Sequence, residues 1–163
     1  MMQHVVIHEG SLLDSKDQYL AHQTNCISKR AAHLADEVFA KYPYANVYSK
    51  RTSQDEPGTI IISGNGNDER YVINMMGQVY PGKPKYSESA TDGYRARYRY
   101  FFLCLKAISK IDNLQSIAFP WQIGCGAAGG NWEDYYNLLN KFAKHLSGKV
   151  EVKIYRLPDD DHI

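Results

Sequence analysis

Strand-like and helix-like stretches alternate along this chain, and the alternation restricts its fold more than any other feature. HVVIH (4–8), YLAHQTN (19–25), QSIAF (115–119) and VEVKIYRL (150–157) are rich in β-branched and aromatic residues, as strands are. Between them, apolar residues recur at helical spacing. Leu34, Ala35, Val38, Phe39 and Tyr42 mark a helix over 31–42, which Pro43 ends. Tyr94, Tyr98, Phe101, Leu105 and Ile108 form one stripe of a second helix, with Thr91 or Asp92 as its cap. Trp132, Tyr135, Leu138, Leu139 and Phe142 form the inward face of a third, over 131–146. GTIIIS (58–63) and RYVINMM (70–76) flank the turn signal GNGNDE and read as a hairpin. Strands joined through helices lie parallel, and a hairpin adds an antiparallel pair. The expected class is α/β, with a central mixed sheet and helices on both faces. The 163 residues suit one domain over 1–163, with 155–163 partly a C-terminal tail and PDDDHI as its frayed acidic end.

Several function classes are disfavoured by composition. The formal charge is +1, from 19 basic and 18 acidic residues, which argues against a dedicated nucleic-acid surface. Arg95 and Arg99, interleaved with tyrosines, form either an RNA contact or the solvated flank of a helix. No apolar run approaches eighteen residues, so no membrane span is expected. The start MMQHVVIHEG lacks a basic segment before its short apolar core, so it does not read as a secretory signal. Cys26, Cys104 and Cys125 are odd in number, widely spaced and without a CxxC pair. They offer no zinc ribbon and no disulfide framework, and a cytoplasmic, reducing compartment is expected. No metal cluster and no cofactor motif is visible.

Ligands of such sheets bind beyond the carboxyl ends of the strands. Two strand-to-helix loops belong there: QTNCISKRAAHLA, and IGCGAAGGNW after QSIAF. The second holds Gly124, Gly126, Gly129 and Gly130 within seven residues. Either the chain turns tightly there, or something other than protein approaches the backbone. Helix N-termini and curled glycine backbone present N–H groups to phosphate oxygens. The loop is no P-loop, because no Lys-Ser or Lys-Thr follows the glycines. GxGxxG is matched by residues 124–129, but that fingerprint belongs to an N-terminal βαβ unit, and here it lies late with only one further strand after it. The polar stretch 77–93 is long enough to be functional. Its Tyr80, Lys83 and Lys85 either close over a terminal phosphate or are solvated. His22 reads as a sheet-face histidine or a catalyst. Cys125 reads as a small loop residue, or as a thiol whose pKa a helix start lowers.

The segments HQTNCIS, LADEVFAKYPYANVY and IAFPWQIGCGAAGGNW resemble the macrodomain family. The resemblance runs from Glu9 to about Leu157. It is nearest to the branch of ADP-ribose 1''-phosphate phosphatases and terminal ADP-ribose protein glycohydrolases. It implies a three-layer α/β/α domain that binds ADP-ribose, with the first loop at the distal ribose and the second around the diphosphate. Carried over, Asn25 bonds the distal ribose, and Ser28 through Leu34 border it. Ile123, Gly124, Cys125, Gly126 and Ala127 supply backbone N–H groups. Ser11 and Leu12 lie near the adenine, and Tyr155 stacks on it. The chain also departs from the family pattern. The glycine before LA is His33, which either transfers a proton or faces solvent. The lysine nucleophile and the aspartate of the glycohydrolases are missing, with Ala128 at the aspartate's place. AGGDW becomes AGGNW, with Asn131 a helix cap that takes no proton. The implied activity is hydrolysis of ADP-ribose 1''-phosphate to ADP-ribose and phosphate, with Asn25 and His33 as its catalytic residues. The alternatives are a non-catalytic binder of ADP-ribose or a related NAD-derived nucleotide, and a hydrolase removing ADP-ribose from a macromolecule.

Overall fold

A computed structural model describes residues 4–159. The strands are β1 (Val6–Glu9), β2 (Tyr19–Asn25), β3 (Ile60–Ser63), β4 (Tyr71–Gln78), β5 (Ser116–Pro120) and β6 (Glu151–Arg156). The helices are α1 (His33–Lys41), α2 (Tyr94–Ile108) and α3 (Trp132–His145), with short 3₁₀ turns at Leu12–Asp14 and Pro43–Ala45. The sheet order is β1-β6-β5-β2-β4-β3. All neighbours are parallel except β3, which returns antiparallel along β4 as the hairpin requires. The expected mixed sheet is thus present. The acidic end expected at 158–163 lies, beyond Asp159, outside the described residues.

The central strands β2, β4 and β5 feed two cores. Leu20, Val72 and Ala118 pack under α1 with Val38 and Phe39. Their neighbours Ala21, Ile73, Ile117 and Phe119 pack with Phe101 and Leu105 of α2 and Leu138, Leu139 and Phe142 of α3. Side chains alternate along a strand, so a one-residue slip of β2 would exchange its two apolar sets between layers. Burial of each Leu, Ile or Phe contributes roughly 1.5–3 kcal/mol, which fixes the register firmly. That register brings the carboxyl ends of β2, β4 and β5 together at one end of the sheet.

Two expectations for α2 are corrected. Its buried face is Arg97, Phe101, Cys104, Leu105 and Ile108. Tyr94 and Tyr98 are instead 39% and 37% exposed, beside the exposed Arg95 and Arg99. The N-cap is Gly93, with no side-chain cap, rather than Thr91 or Asp92. A methyl group on Gly93 would lie 2.6 Å from the Ser87 and Ser89 carbonyls, so only glycine fits where the loop folds back. Asp92 is thereby turned inward, against Arg97.

Candidate functional site

A cavity of ≈ 340 Å³ opens at the carboxyl ends of β2, β4 and β5. One wall is the loop from Asn25 to α1. A second is the end of β4 with the turn at 80–82. The third is the glycine loop between β5 and α3.

The first wall is built around Asn25. The β2–β4 register shifts between Thr24 and Asn25, a bulge that re-aims the last residue of the strand and sets it opposite Gln78. Asn25 Oδ1 accepts from the amides of Ile27 (3.1 Å) and Ser28 (2.8 Å), an Asx-type turn. Its own N–H donates to Tyr48 Oη at 2.8 Å, and its carbonyl accepts from Arg51 Nη2 at 2.9 Å. Arg51 also donates to the Ser28 carbonyl and to Asp55, and it lies over the Tyr48 ring. The backbone and Oδ1 of Asn25 are therefore committed, and Nδ2 is its open donor. Tyr48 closes the segment LADEVFAKYPYANVY but was given no role there, and Arg51 falls in no periodic stretch or motif.

α1 starts at His33 rather than at residue 31, and His33 has φ 55°. That left-handed conformation is where the resembling family carries glycine. A residue with a Cβ there costs roughly 1–2 kcal/mol. His33 is exposed and borders the cavity.

The glycine loop is a series of tight turns. The Ile123 N–H donates to the Pro120 carbonyl (3.2 Å) and that of Cys125 to Gln122 (2.8 Å). Those of Gly129 and Gly130 donate to Gly126 and Gly124, both at 3.1 Å. The amides of Gly124, Gly126, Ala127 and Ala128 have no hydrogen-bond partner among the described residues. The cradle expected over 123–127 is corrected accordingly: Ile123 and Cys125 line the cavity, but their N–H groups are spent in turns. Three of the four glycines answer to the protein itself. Gly124 and Gly129 have φ 77° and 78°, and a methyl on Gly130 would meet the Gly124 carbonyl at 2.6 Å. Gly126 is different: among the described residues no atom lies within 4 Å of where its side chain would be. Asn131 caps α3, its Oδ1 accepting from the Asp134 amide at 3.1 Å.

Among the described residues, none that lines the cavity is Asp, Glu or Lys; Arg30 and His33 are its cationic or basic side chains. Burial pushes the Cys125 thiol up to about 12, and α3 begins only at Trp132, so a helix start does not activate it. His22 is fully buried under α1. Its Nε2 meets Asn74 Oδ1 at 2.8 Å, and burial lowers its pKa to about 4, so it is a core histidine. Tyr80, Lys83 and Lys85 are exposed, with the Lys83 chain running beside Gly129.

Asn25, Ser28, His33, Leu34 and residues 123–127 are thus gathered around one cavity. The expected adenine-side residues are not. Ser11 caps a 3₁₀ turn by accepting from the Leu13 amide, and Leu12 is buried beneath α1. Tyr155 is 8% exposed, packs on His8 and donates from its hydroxyl to Asp17 Oδ2 at 3.0 Å. It is not among the described residues that line the cavity. Trp121, which sequence reading passed over, is a half-buried ring that lines the cavity.

No family model and no curated protein matches the sequence. Solved structures do match. The macrodomain of Thermus aquaticus DarG is 20% identical with a TM-score of 0.69, and that of Mycobacterium tuberculosis DarG is 20% identical with a TM-score of 0.67. In each case the match covers 93% of this chain and 97% of the other. The Trypanosoma brucei macrodomain in complex with ADP-ribose is 13% identical with a TM-score of 0.65, over 94% of this chain and 63% of that one. The chain has the macrodomain α/β/α fold.

Proposed function

We propose that the cavity binds ADP-ribose, with the diphosphate on the open amides of Gly124, Gly126, Ala127 and Ala128 and the distal ribose at Asn25 Nδ2. The observation that carries this reading is Gly126. No described atom lies within 4 Å of where a Gly126 side chain would be, and Gly126 lines a cavity with free N–H donors and no carboxylate among its described lining residues. Such a surface suits a multiply charged anion. The fold is shared with a T. brucei macrodomain solved with ADP-ribose, which supports the choice of anion.

Within this reading the chain acts as a phosphatase on ADP-ribose 1''-phosphate. Water attacks the terminal phosphorus, the bond from phosphorus to the 1''-oxygen breaks, and that oxygen takes up a proton. The products are ADP-ribose and phosphate. Catalysis rests on position and on fixed dipoles rather than on a charged nucleophile. His33 transfers the proton; its strained backbone at the cavity mouth is the feature that favours a role for it. A second reading, a binder without turnover, is favoured by a different observation: no carboxylate or lysine lines the cavity. Phosphate release from ADP-ribose 1''-phosphate, measured beside calorimetry with ADP-ribose, separates the two. Binding with release supports the phosphatase, and binding without release the second reading. Absence of binding at millimolar ADP-ribose removes both.

A further inference from the structure

Arg97 does not line the cavity and is 2% exposed, yet its contacts run to two of the cavity's walls. Its Nε and Nη2 grip Asp92 at 3.1 and 2.7 Å. Nη2 also donates to the Tyr80 carbonyl at 3.1 Å, and Nη1 to the Gly82 carbonyl at 2.6 Å. A longer contact, 3.5 Å, runs from Nη1 to the carbonyl of Ala128 in the glycine loop. The five N–H donors of a guanidinium are matched here by five contacts. Asp92 in turn accepts from the amides of Val79 (2.7 Å) and Tyr80 (3.3 Å). Gln78, on the cavity side, donates to the same two carbonyls, Tyr80 (2.9 Å) and Gly82 (3.4 Å).

A buried ion pair is a poor way to gain stability, since an apolar pair of similar volume commonly does as well. Its contribution is geometric: a rigid planar fork holds several acceptors at fixed spacing. Arg97 belongs to the first turns of a helix, and its acceptors belong to loops. We propose that Arg97 is a positioning residue that sets the gap between the turn at 80–82 and the glycine loop. It thereby determines how well the site holds a ligand that touches both walls; this rests on the ADP-ribose reading above. Asn25 pairs with Gln78 across β2 and β4, so the turn flanks the end of the cavity where the distal ribose is assigned. ADP lacks that ribose and does not reach the turn.

The test compares Arg97→Lys, which keeps the charge and loses the fork, with the wild-type protein. Calorimetry with ADP-ribose and with ADP is run on each, together with amide hydrogen exchange without ligand. The expected result is an affinity loss of about tenfold or more for ADP-ribose against less than about threefold for ADP. Exchange accelerates together over 79–83 and 124–130 while α2 keeps its protection. Equal losses for both nucleotides, no loss for either, or faster exchange confined to α2 overturns the proposal. Should Arg97→Lys not fold, Asp92→Asn, which keeps the shape of the partner without its charge, is judged by the same outcomes. Should wild-type protein bind neither nucleotide, the ADP-ribose reading fails, and the exchange pattern alone decides on Arg97.

Discussion

Replacing Gly126 with valine separates a loop built for a ligand from a loop that merely turns. The backbone there is not in the left-handed region, and a Cβ would have no protein atom within 4 Å. Gly126→Val is therefore free of clash and of backbone strain, and its stability should stay within about 1 kcal/mol of wild type. The new side chain would stand among the open amides of Gly124, Ala127 and Ala128 and exclude phosphate oxygens from them. Loss of two charge-assisted hydrogen bonds, at about 1.5–3 kcal/mol each, amounts to about 3–6 kcal/mol. That is roughly a 10²- to 10⁴-fold rise in Kd. Calorimetry with ADP-ribose, paired with a thermal melt, reads both quantities. Gly124→Val is the contrasting control. Its Cβ would sit 2.6 Å from Tyr135 Cε2 on a backbone of φ 77°, so that variant should lose its fold along with any binding. A Gly126→Val protein that melts like wild type and binds ADP-ribose equally well would refute the reasoning, because the glycine would then have no ligand to make room for.

If His33 transfers a proton, His33→Ala should lower turnover of ADP-ribose 1''-phosphate by roughly a hundredfold with binding little changed. His33→Gly should in addition raise the melting temperature by relieving the left-handed strain; unchanged turnover in both variants would end the catalytic assignment. His22 gives a pH prediction. Its folded pKa of about 4 lies below the ordinary 6.5, so the unfolded chain takes the proton first and stability falls as pH drops from 6.5 toward 4. The loss is at most about 3 kcal/mol and levels off below pH 4. Urea unfolding at pH 7 and 4.5 should show it in wild type and show it reduced in His22→Gln; equal losses would assign it to other groups. Burial also pushes the thiols of Cys26, Cys104 and Cys125 up to about 11, 12 and 12. Native protein at pH 8 should resist alkylation until urea is added, and Cys125→Ser should keep its activity. Rapid native labelling of Cys125 would reopen a role for its thiol.

Elements with a period were legible in the sequence, and side chains that act through the backbone were not. The strands, the three helices, the hairpin and the mixed sheet follow from apolar spacing and turn residues, which are local properties of the chain. Asn25 and the glycine loop were legible because a strand running into glycines before a helix has few uses. Buried arginines carry no such mark. Arg97 sits among Arg95 and Arg99 in a stretch that reads as solvated, and only its acceptors at 80, 82, 92 and 128 distinguish it. The same blindness misplaced Tyr94 and Tyr98, since a stripe of tyrosines looks as apolar as one containing a satisfied guanidinium. Tyr155 was misread for a related reason. Period-two alternation places a side chain on a face of the sheet, but not at the open or the covered part of that face.

The placement of charge separates support from recognition in this site. Two buried cations stand behind the walls. Arg51 holds the carbonyls of Asn25 and Ser28, and Arg97 holds those of Tyr80, Gly82 and Ala128. Each has a carboxylate of its own, Asp55 and Asp92, so their positive charge is largely answered within the protein. What faces the cavity is mostly neutral: peptide N–H groups and the Asn25 amide, with Arg30 as the one side chain of fixed charge among the described residues. Neutral dipoles held rigid discriminate by the position of oxygens rather than by total charge, because they lose their fit when displaced. Strained or tightly packed backbone at His33, Gln122 and Gly124 keeps those dipoles in place. Under the proposed reading, such a cavity would select one arrangement of oxygens through the fit of its loops, with Arg51 and Arg97 behind the walls and out of contact with the ligand.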